Sequence, residues 1–135
     1  MYVIKTEISD AQAKTWRFDR QKTMYGGKVI TKGDTIFVFA SENEGGSGLI
    51  ARGIVTAAEP TPRRPGVERQ TPRVGIDVKR TGQARHPLGR MELKPFKDWG
   101  DGRPETELNF KFYRQATNKI AAVSEETAEF LQSLF

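Results

Sequence analysis

The sequence predicts a mixed α+β domain that is mainly β, and three observations carry this prediction. Apolar runs rich in β-branched residues at 35–39 and 49–56 flank the glycine-rich stretch 45–48, a pattern typical of a β-hairpin. Residues 73–80 alternate apolar with charged side chains, as in a strand with one face in water. The apolar stripe within 124–135 indicates a closing helix that packs on a sheet.

Size and composition set the limits of the fold. With 135 residues the chain is long enough for one hydrophobic core, so we predict a single domain over 1–135. Hydrophobic residues make up 36% and charged residues 29%, which fits a soluble globular protein. No apolar run approaches the roughly 20 residues that span a bilayer, and residues 1–5 lack the features of a signal peptide. We therefore expect a cytoplasmic protein with no membrane partner.

The content of cysteine and histidine limits metal and redox chemistry. Without cysteine the chain has no disulfide, no thiolate nucleophile and no cysteine-based zinc site. Its single histidine, His86, excludes an all-histidine metal site within one chain. His86 is expected to be a surface residue rather than a catalytic base, for which no partner is evident. We expect no metal and no cofactor.

The N-terminal part of the chain predicts a strand, a short helix and a turn. Residues 2–8 read as the first strand. Residues 9–12 have the spacing of a capping box and predict a short helix that ends near Trp16. The aromatic and charged residues 16–19 are then expected outside regular structure, before a turn at 25–27.

The remaining elements follow the hairpin. Five of the seven prolines lie between Pro60 and Pro87, so we predict a Pro/Arg-rich insertion of loops and short strands at about 59–90. Apolar residues predict three further strands, at 91–95, 108–113 and 120–123. An aromatic loop with an Asp-Gly turn, at 96–102, separates the first two of these strands. Ser124 is positioned to cap the final helix.

Positive charge is concentrated in one segment. Residues 63–90 contain eight basic and two acidic side chains, whereas the whole chain carries a net charge of +5. An arginine-rich segment favours a polyanion such as DNA or RNA as partner, because phosphate contacts dominate nucleic-acid affinity. The alternative is a solvated, mobile loop. The predicted phosphate-binding residues are Arg63, Arg64, Arg69, Arg73, Lys79, Arg80 and Arg85.

Catalytic motifs are weak, whereas aromatic residues beside arginines point to nucleic-acid binding. The glycines at 45–48 are not followed by the Lys-Ser/Thr of a phosphate loop. The paired acids Glu42/Glu44 and Asp98/Asp101 have no base, nucleophile or metal ligand beside them. Aromatic side chains near arginines, as at Trp16, can instead stack on nucleobases. The alternative is that the tryptophans are buried core residues.

Two stretches resemble a known family. Residues 32–41, KGDTIFVFAS, together with 48–55, GLIARGIV, resemble the central strand pair of the PUA-like superfamily, in particular EVE-type domains. Residues 113–124, YRQATNKIAAVS, with the helix after them are similar to the C-terminal unit of EVE domains. The resemblance implies a small pseudo-barrel of about five to seven strands with short flanking helices and a C-terminal helix. It also implies a pocket for a flipped, often modified, base, as in the related YTH and ASCH domains.

The resemblance assigns this pocket to named residues. Trp16 and Phe39 would sandwich the base, and nearby polar groups would read its edge. The predicted base-pocket residues are Trp16, Phe39, Ser41, Glu42, Arg114, Thr117 and Asn118. The basic segment would hold the phosphate backbone.

Together these observations predict a non-catalytic nucleic-acid-binding module. A second hypothesis is a protein-interaction or accessory module whose basic segment binds an acidic partner. A third is an RNA-modifying or hydrolytic enzyme that uses Glu42.

Overall fold

The described part of the chain forms a closed six-stranded barrel with three short α-helices. The computed structural model describes residues 1–62, 64–66, 70–115 and 117–135. The strands are β1 (Tyr2–Thr6), β2 (Thr15–Met24), β3 (Thr35–Ala40), β4 (Gly48–Pro60), β5 (Arg73–Gln83) and β6 (Lys119–Ala122). The helices are α1 (Arg90–Leu93), α2 (Pro104–Leu108) and α3 (Glu125–Gln132). The predicted mainly β fold with a C-terminal helix is confirmed.

The barrel closes in the order β1-β3-β4-β5-β2-β6. Strand β1 pairs in parallel with β3 and antiparallel with β6, which places Lys5 between Phe39 and Lys119. The predicted hairpin is the antiparallel pair β3/β4. Strand β2 pairs antiparallel with β5 and in parallel with β6, which completes the ring. Strand β5 lies within the predicted insertion at 59–90, so part of that segment is a barrel strand.

Two hydrophobic clusters lie on opposite faces of the strands. The interior cluster includes Ile4, Ile36, Val38, Ile76 and Ile120. The outer cluster lies between the barrel and the helices. Its members are Val3, Phe37, Phe39, Leu49, Leu88, Leu93, Leu108, Phe112, Ala121 and Leu131. Strands β1 and β3 are apolar on both faces because each covers the interior on one side and the helices on the other.

The strand predicted at 108–113 is wrong. Pro104 occupies the first turn of α2, where its missing N–H costs nothing, and the helix continues as a π-helical turn over Asn109–Tyr113. The N–H of Arg114 donates to the carbonyl of Asn109 at 2.8 Å, the wider spacing of a π-helix. The alternation at 108, 110 and 112 arises because Leu108 and Phe112 face the barrel while Phe110 lies half-buried beside them.

Three other predictions of local structure are also wrong. The strand expected at 91–95 is helix α1, which buries Leu93 in the outer cluster. The helix expected after Ser9 is a turn, in which the Asp10 carboxylate accepts from the Gln12 N–H at 3.0 Å. The segment 16–19, expected outside regular structure, lies in β2 because it pairs with β5.

The turn at 25–27 and the cap of the last helix are confirmed. Tyr25 and Gly26 both have positive φ, 52° and 83°. A Cβ on Gly27 would lie 2.2 Å from the carbonyl oxygen of Ile120, so this position requires glycine. The Ser124 hydroxyl accepts from the Thr127 N–H at 3.2 Å and caps α3. None of the described helices has the length and apolar character needed to cross a bilayer.

Candidate functional site

Five of the predicted base-pocket residues gather at one end of the barrel. Ser41 and Glu42 follow the carboxyl end of β3, and 114–118 precede the amino end of β6. Because β1 runs parallel to β3 and antiparallel to β6, these segments meet at the same end. The Ser41 N–H donates to the Thr6 carbonyl at 2.8 Å and joins the end of β3 to β1. Arg114, Thr117 and Asn118 therefore lie on the same side of the molecule as Ser41 and Glu42.

The structure does not bring Trp16 and Phe39 together. Trp16 lies on β2, stacks on Phe18 at 6.2 Å, and donates its indole N–H to the Asp10 carbonyl at 3.0 Å. Phe39 lies on β3, which is separated from β2 by two strands in either direction around the ring. Its side chain is fully buried against Phe112 at 5.1 Å. These two rings do not form a sandwich.

A pair of buried lysines lies at this end instead. Lys5 and Lys119 are directly opposite on β1 and β6, and each is only 1% exposed. The Lys5 ammonium donates to the Phe112 carbonyl at 2.9 Å, and the Lys119 ammonium donates to the Lys111 carbonyl. Both acceptors belong to the π-helical turn. Among the described residues, neither lysine forms an ion pair with a carboxylate.

Burial lowers the pKa of both lysines. For Lys119, burial is the largest cause and the neighbouring charges of Lys5, Lys22 and Arg114 add to it, so its pKa falls to about 8. Burial also lowers the pKa of Lys5, although the Glu42 carboxylate partly opposes this shift. This end of the barrel therefore holds positive charge in a poorly solvated place.

A carboxylate, a phenol and an arginine border the lysine pair. The Tyr113 hydroxyl donates to Glu42 Oε1 at 2.9 Å, and the Arg90 N–H donates to Glu42 Oε2 at 2.7 Å. The Lys5 ammonium lies 4.9 Å from the centre of the Tyr113 ring. Burial, followed by the Glu42 charge, raises the pKa of Tyr113, so its hydroxyl remains a donor at any ordinary pH. Glu42 is thereby fixed in orientation by two hydrogen bonds.

Arg114 and two aromatic rings continue the site outward. The Arg114 guanidinium lies 4.0 Å from the centre of the Phe110 ring, a cation–π contact. Phe110 also contacts Tyr25 at 5.9 Å, and the Lys119 ammonium lies 5.9 Å from the Tyr25 ring. A planar, cationic and aromatic surface therefore adjoins the buried lysine pair.

The predicted phosphate-binding residues are spread along β5 rather than gathered in one patch. Arg64 lies in the connection between β4 and β5 and Arg73 begins β5, whereas Lys79, Arg80 and Arg85 lie toward or beyond its carboxyl end. Strands rise about 3.3 Å per residue, so the two groups are well separated. Arg73 is opposite Lys22 on β2, and the charge of Lys22 reaches Lys119. Arg63 and Arg69 lie outside the described residues.

Sequence reasoning missed Lys5, Tyr113 and Lys119. A signal was present for the lysines, because Lys5 interrupts the apolar run of β1 and Lys119 begins the apolar run of β6. Lysine is rarely fully buried without a partner, so a lysine in an apolar strand indicates either an exposed edge of the sheet or a buried charge with specific partners. Tyr113 was assigned to a strand that does not form. His86 is exposed, and the described residues contain no group of three acidic or histidine side chains that could hold a metal.

Solved structures share this fold over nearly the whole chain. The DUF55 domain of human thymocyte nuclear protein 1 is 17% identical and matches 98% of this chain and 96% of that chain at a TM-score of 0.64. The human THYN1 protein in complex with DNA that contains 5-methylcytosine is 18% identical. The match covers 98% of this chain and 95% of that chain at a TM-score of 0.65. A protein from Pseudomonas syringae is 16% identical, and the match covers 98% of this chain and 97% of that chain at a TM-score of 0.59.

The sequence itself matches no protein-family profile and no curated protein. The likeness therefore concerns the fold alone, and a closed barrel with a C-terminal helix is the fold that the resemblance to EVE-type domains implies.

Proposed function

We propose that this protein binds nucleic acid without catalysing a reaction, and that it accepts one base at the end of the barrel that holds Lys5 and Lys119. The observation that carries the proposal is this buried lysine pair. An ammonium group has three N–H donors, and the described contacts use one from each lysine. Two cations in a poorly solvated place favour a ligand that brings oxygen acceptors or negative charge.

The groups around the lysines fit a base rather than a bare anion. Glu42 supplies acceptor oxygens held in place by Tyr113 and Arg90, so the site combines donors with an acceptor. Such a combination can read the edge of a base. Arg114, Thr117 and Asn118 lie at the rim, where they can contact the sugar and phosphate of the same nucleotide.

Comparison with the human THYN1 structure supports the proposed ligand. That protein is in complex with DNA that contains 5-methylcytosine, and it shares the fold of this chain. We infer that a modified base in DNA or RNA is the ligand here as well. The proposed place of action is inside the cell.

Replacing Lys119 with Met tests the site. The substitution keeps the length of the side chain and removes the charge. Affinity for an oligonucleotide that contains 5-methylcytosine should therefore fall about 10- to 150-fold, since hydrogen bonds to charged groups contribute about 1.5–3 kcal/mol. Fluorescence anisotropy measures this affinity. Lys32→Met is the matched control, because Lys32 is exposed before the amino end of β3, far from Ser41. Equal affinities for the two variants would contradict the proposal.

Arg73 tests the proposed contact with the phosphate backbone, because it lies opposite Lys22, whose charge reaches Lys119. Replacing Arg73 with Gln should weaken binding to all sequences alike. The slope of log K against log salt should become shallower by about 1, since one released counterion is lost. The titration is repeated at several salt concentrations. An unchanged slope would show that Arg73 does not contact phosphate. Tight binding of an acidic protein, with no binding of the oligonucleotide, would instead favour the protein-interaction hypothesis.

A further inference from the structure

We propose a second base-binding subsite, outside the barrel end, in which a nucleobase next to the recognised one stacks on Trp99. The inference rests on the proposed function, since the same strand would fill both places. The subsite is a cavity of ≈ 300 Å³ lined by Trp99, Gly102, Arg103, Thr106, Glu107 and Phe110. This volume is at the lower end of the range for small-molecule pockets, about 300–1,000 Å³.

Trp99 presents an aromatic surface to solvent at this cavity. Its side chain is 45% exposed, although tryptophan is usually among the more deeply buried residues. Its ring meets Phe110 edge-on, with ring centres 5.5 Å apart and planes at 71°. Edge-on packing fixes the indole while leaving a face free to receive another ring. A planar heteroaromatic ring is the ligand that such a face binds best.

Thr106 and Arg103 add polar groups to the lining of the same cavity. Thr106 is 3% exposed, and its hydroxyl lies beside the Asp101 carboxylate. The pKa of Asp101 is lowered, mainly by the Arg103 N–H and secondarily by this hydroxyl. The exposed polar group of the lining is therefore Arg103, whose guanidinium can donate to an acceptor on the edge of a base.

The polar lining does not favour a bare anion. Glu107 is already held by Ser124, Thr127 and Lys111, with distances of 2.6, 2.7 and 2.9 Å. Arg103 brings positive charge, but Asp101 beside it brings negative charge. A neutral ring with a hydrogen-bonding edge therefore fits this cavity better than phosphate.

A continuous set of aromatic contacts joins the cavity to the lysine pair. Phe110 lines the cavity and carries the Arg114 guanidinium at 4.0 Å. Tyr25 contacts Phe110 at 5.9 Å, and Lys119 lies 5.9 Å from Tyr25. A strand whose base enters the barrel end would thus have its neighbouring nucleotide beside Trp99. This arrangement identifies the occupant as a base of the same strand.

The test measures binding of single-stranded DNA of about 12 nucleotides, within the usual site size, with one central 5-methylcytosine. Trp99→Ala should weaken binding about 5- to 150-fold, the equivalent of about 1–3 kcal/mol for one stacked base. Met91→Ala is the control, because Met91 is 81% exposed and lies outside the aromatic contacts. In two further oligonucleotides, an abasic site replaces the nucleotide on one side or on the other side of the 5-methylcytosine. One of the two should bind wild-type protein more weakly by a similar factor, and Trp99→Ala should then cause no further loss of affinity.

A second measurement uses fluorescence. In a Trp16→Phe variant, Trp99 is the only tryptophan, and the oligonucleotide should quench its emission. Failure of wild-type protein to bind the oligonucleotide would contradict the proposed function itself. Normal wild-type binding, with full affinity in Trp99→Ala or unquenched Trp99 emission, would overturn only the second subsite. The second subsite would also be overturned if free deoxycytidine bound at Trp99 with the same affinity as the oligonucleotide. The ring stacked on Trp99 would then not need to come from the bound strand.

Discussion

The two faces of β1 and β3 carry different kinds of core. The interior face packs Ile4, Ile36 and Val38 in a hydrophobic cluster. The outer face packs Val3, Phe37 and Phe39 under the helices, but the same face of β1 also buries Lys5. The interior is therefore built for stability, whereas the outer face accepts buried charge that a purely structural core would avoid.

The lysines on the outer face also shape the backbone beside them. A π-helical turn interrupts the regular hydrogen bonding of a helix, and such turns occur often at functional sites. Here the carbonyls of Lys111 and Phe112 within the turn accept from Lys119 and Lys5. The irregular turn and the buried charges thus depend on each other, and both lie at the end of the barrel to which we assign binding.

The comparison predicts that interior substitutions affect stability and leave binding intact. Ile76 is fully buried in the interior cluster. Ile76→Ala should lower the free energy of unfolding by about 2–5 kcal/mol, because the lost side chain leaves a cavity that the barrel cannot collapse to fill. Urea unfolding measures this change, and the affinity of the folded protein for an oligonucleotide should stay unchanged.

Ile54→Ala is the control for this prediction. The side chain of Ile54 is 41% exposed on the neighbouring strand β4, so the same chemical change should cost much less. If Ile76→Ala changed affinity as strongly as Lys119→Met, the division of roles between the two faces would be wrong.

The interior and the hairpin were predictable because their signals are local. The apolar runs of β3 and β4 and the glycines between them lie within about 25 consecutive residues, and the structure pairs them as expected. Segment 16–19 was mispredicted because its strand character comes from pairing with 76–79, which is distant in sequence. The strand predicted at 108–113 failed because its apolar residues are divided between two sides of a helical turn: Leu108 and Phe112 lie in the outer cluster, whereas Phe110 packs against Tyr25 and Trp99.

The candidate site was predictable only in part, for a related reason. The resemblance to EVE-type domains assigned Ser41, Glu42, Arg114, Thr117 and Asn118 to a pocket. The structure places them at one end of the barrel, and their role in binding stays a prediction. The pairing of Lys5 with Lys119 depends on the register of β1 and β6, which are more than a hundred residues apart in the chain. No local pattern contains that information, so the group on which the proposed function depends emerged only from the closed barrel.

The smallest predicted effect, the pH dependence of Lys119, sharpens the comparison further. The pKa of Lys119 is about 8 in the folded protein, below the ordinary lysine value of 10.5. Between these values the unfolded chain binds more protons than the folded one, so stability rises with pH in this interval. We expect the free energy of unfolding to increase by about 1 kcal/mol from pH 7 to pH 9, since one pKa unit corresponds to about 1.4 kcal/mol.

Affinity for the oligonucleotide should change in the opposite direction over the same pH range. Loss of the Lys119 proton removes a charge that the proposed ligand uses, so binding should weaken as pH rises through about 8. Lys119→Met should weaken both dependences, since only Lys5 then keeps a pKa lowered by burial, whereas Lys32→Met should leave them unchanged. If stability and affinity changed in parallel with pH, or if Lys119→Met left both dependences unchanged, Lys119 would not be the group that opposes folding and favours binding.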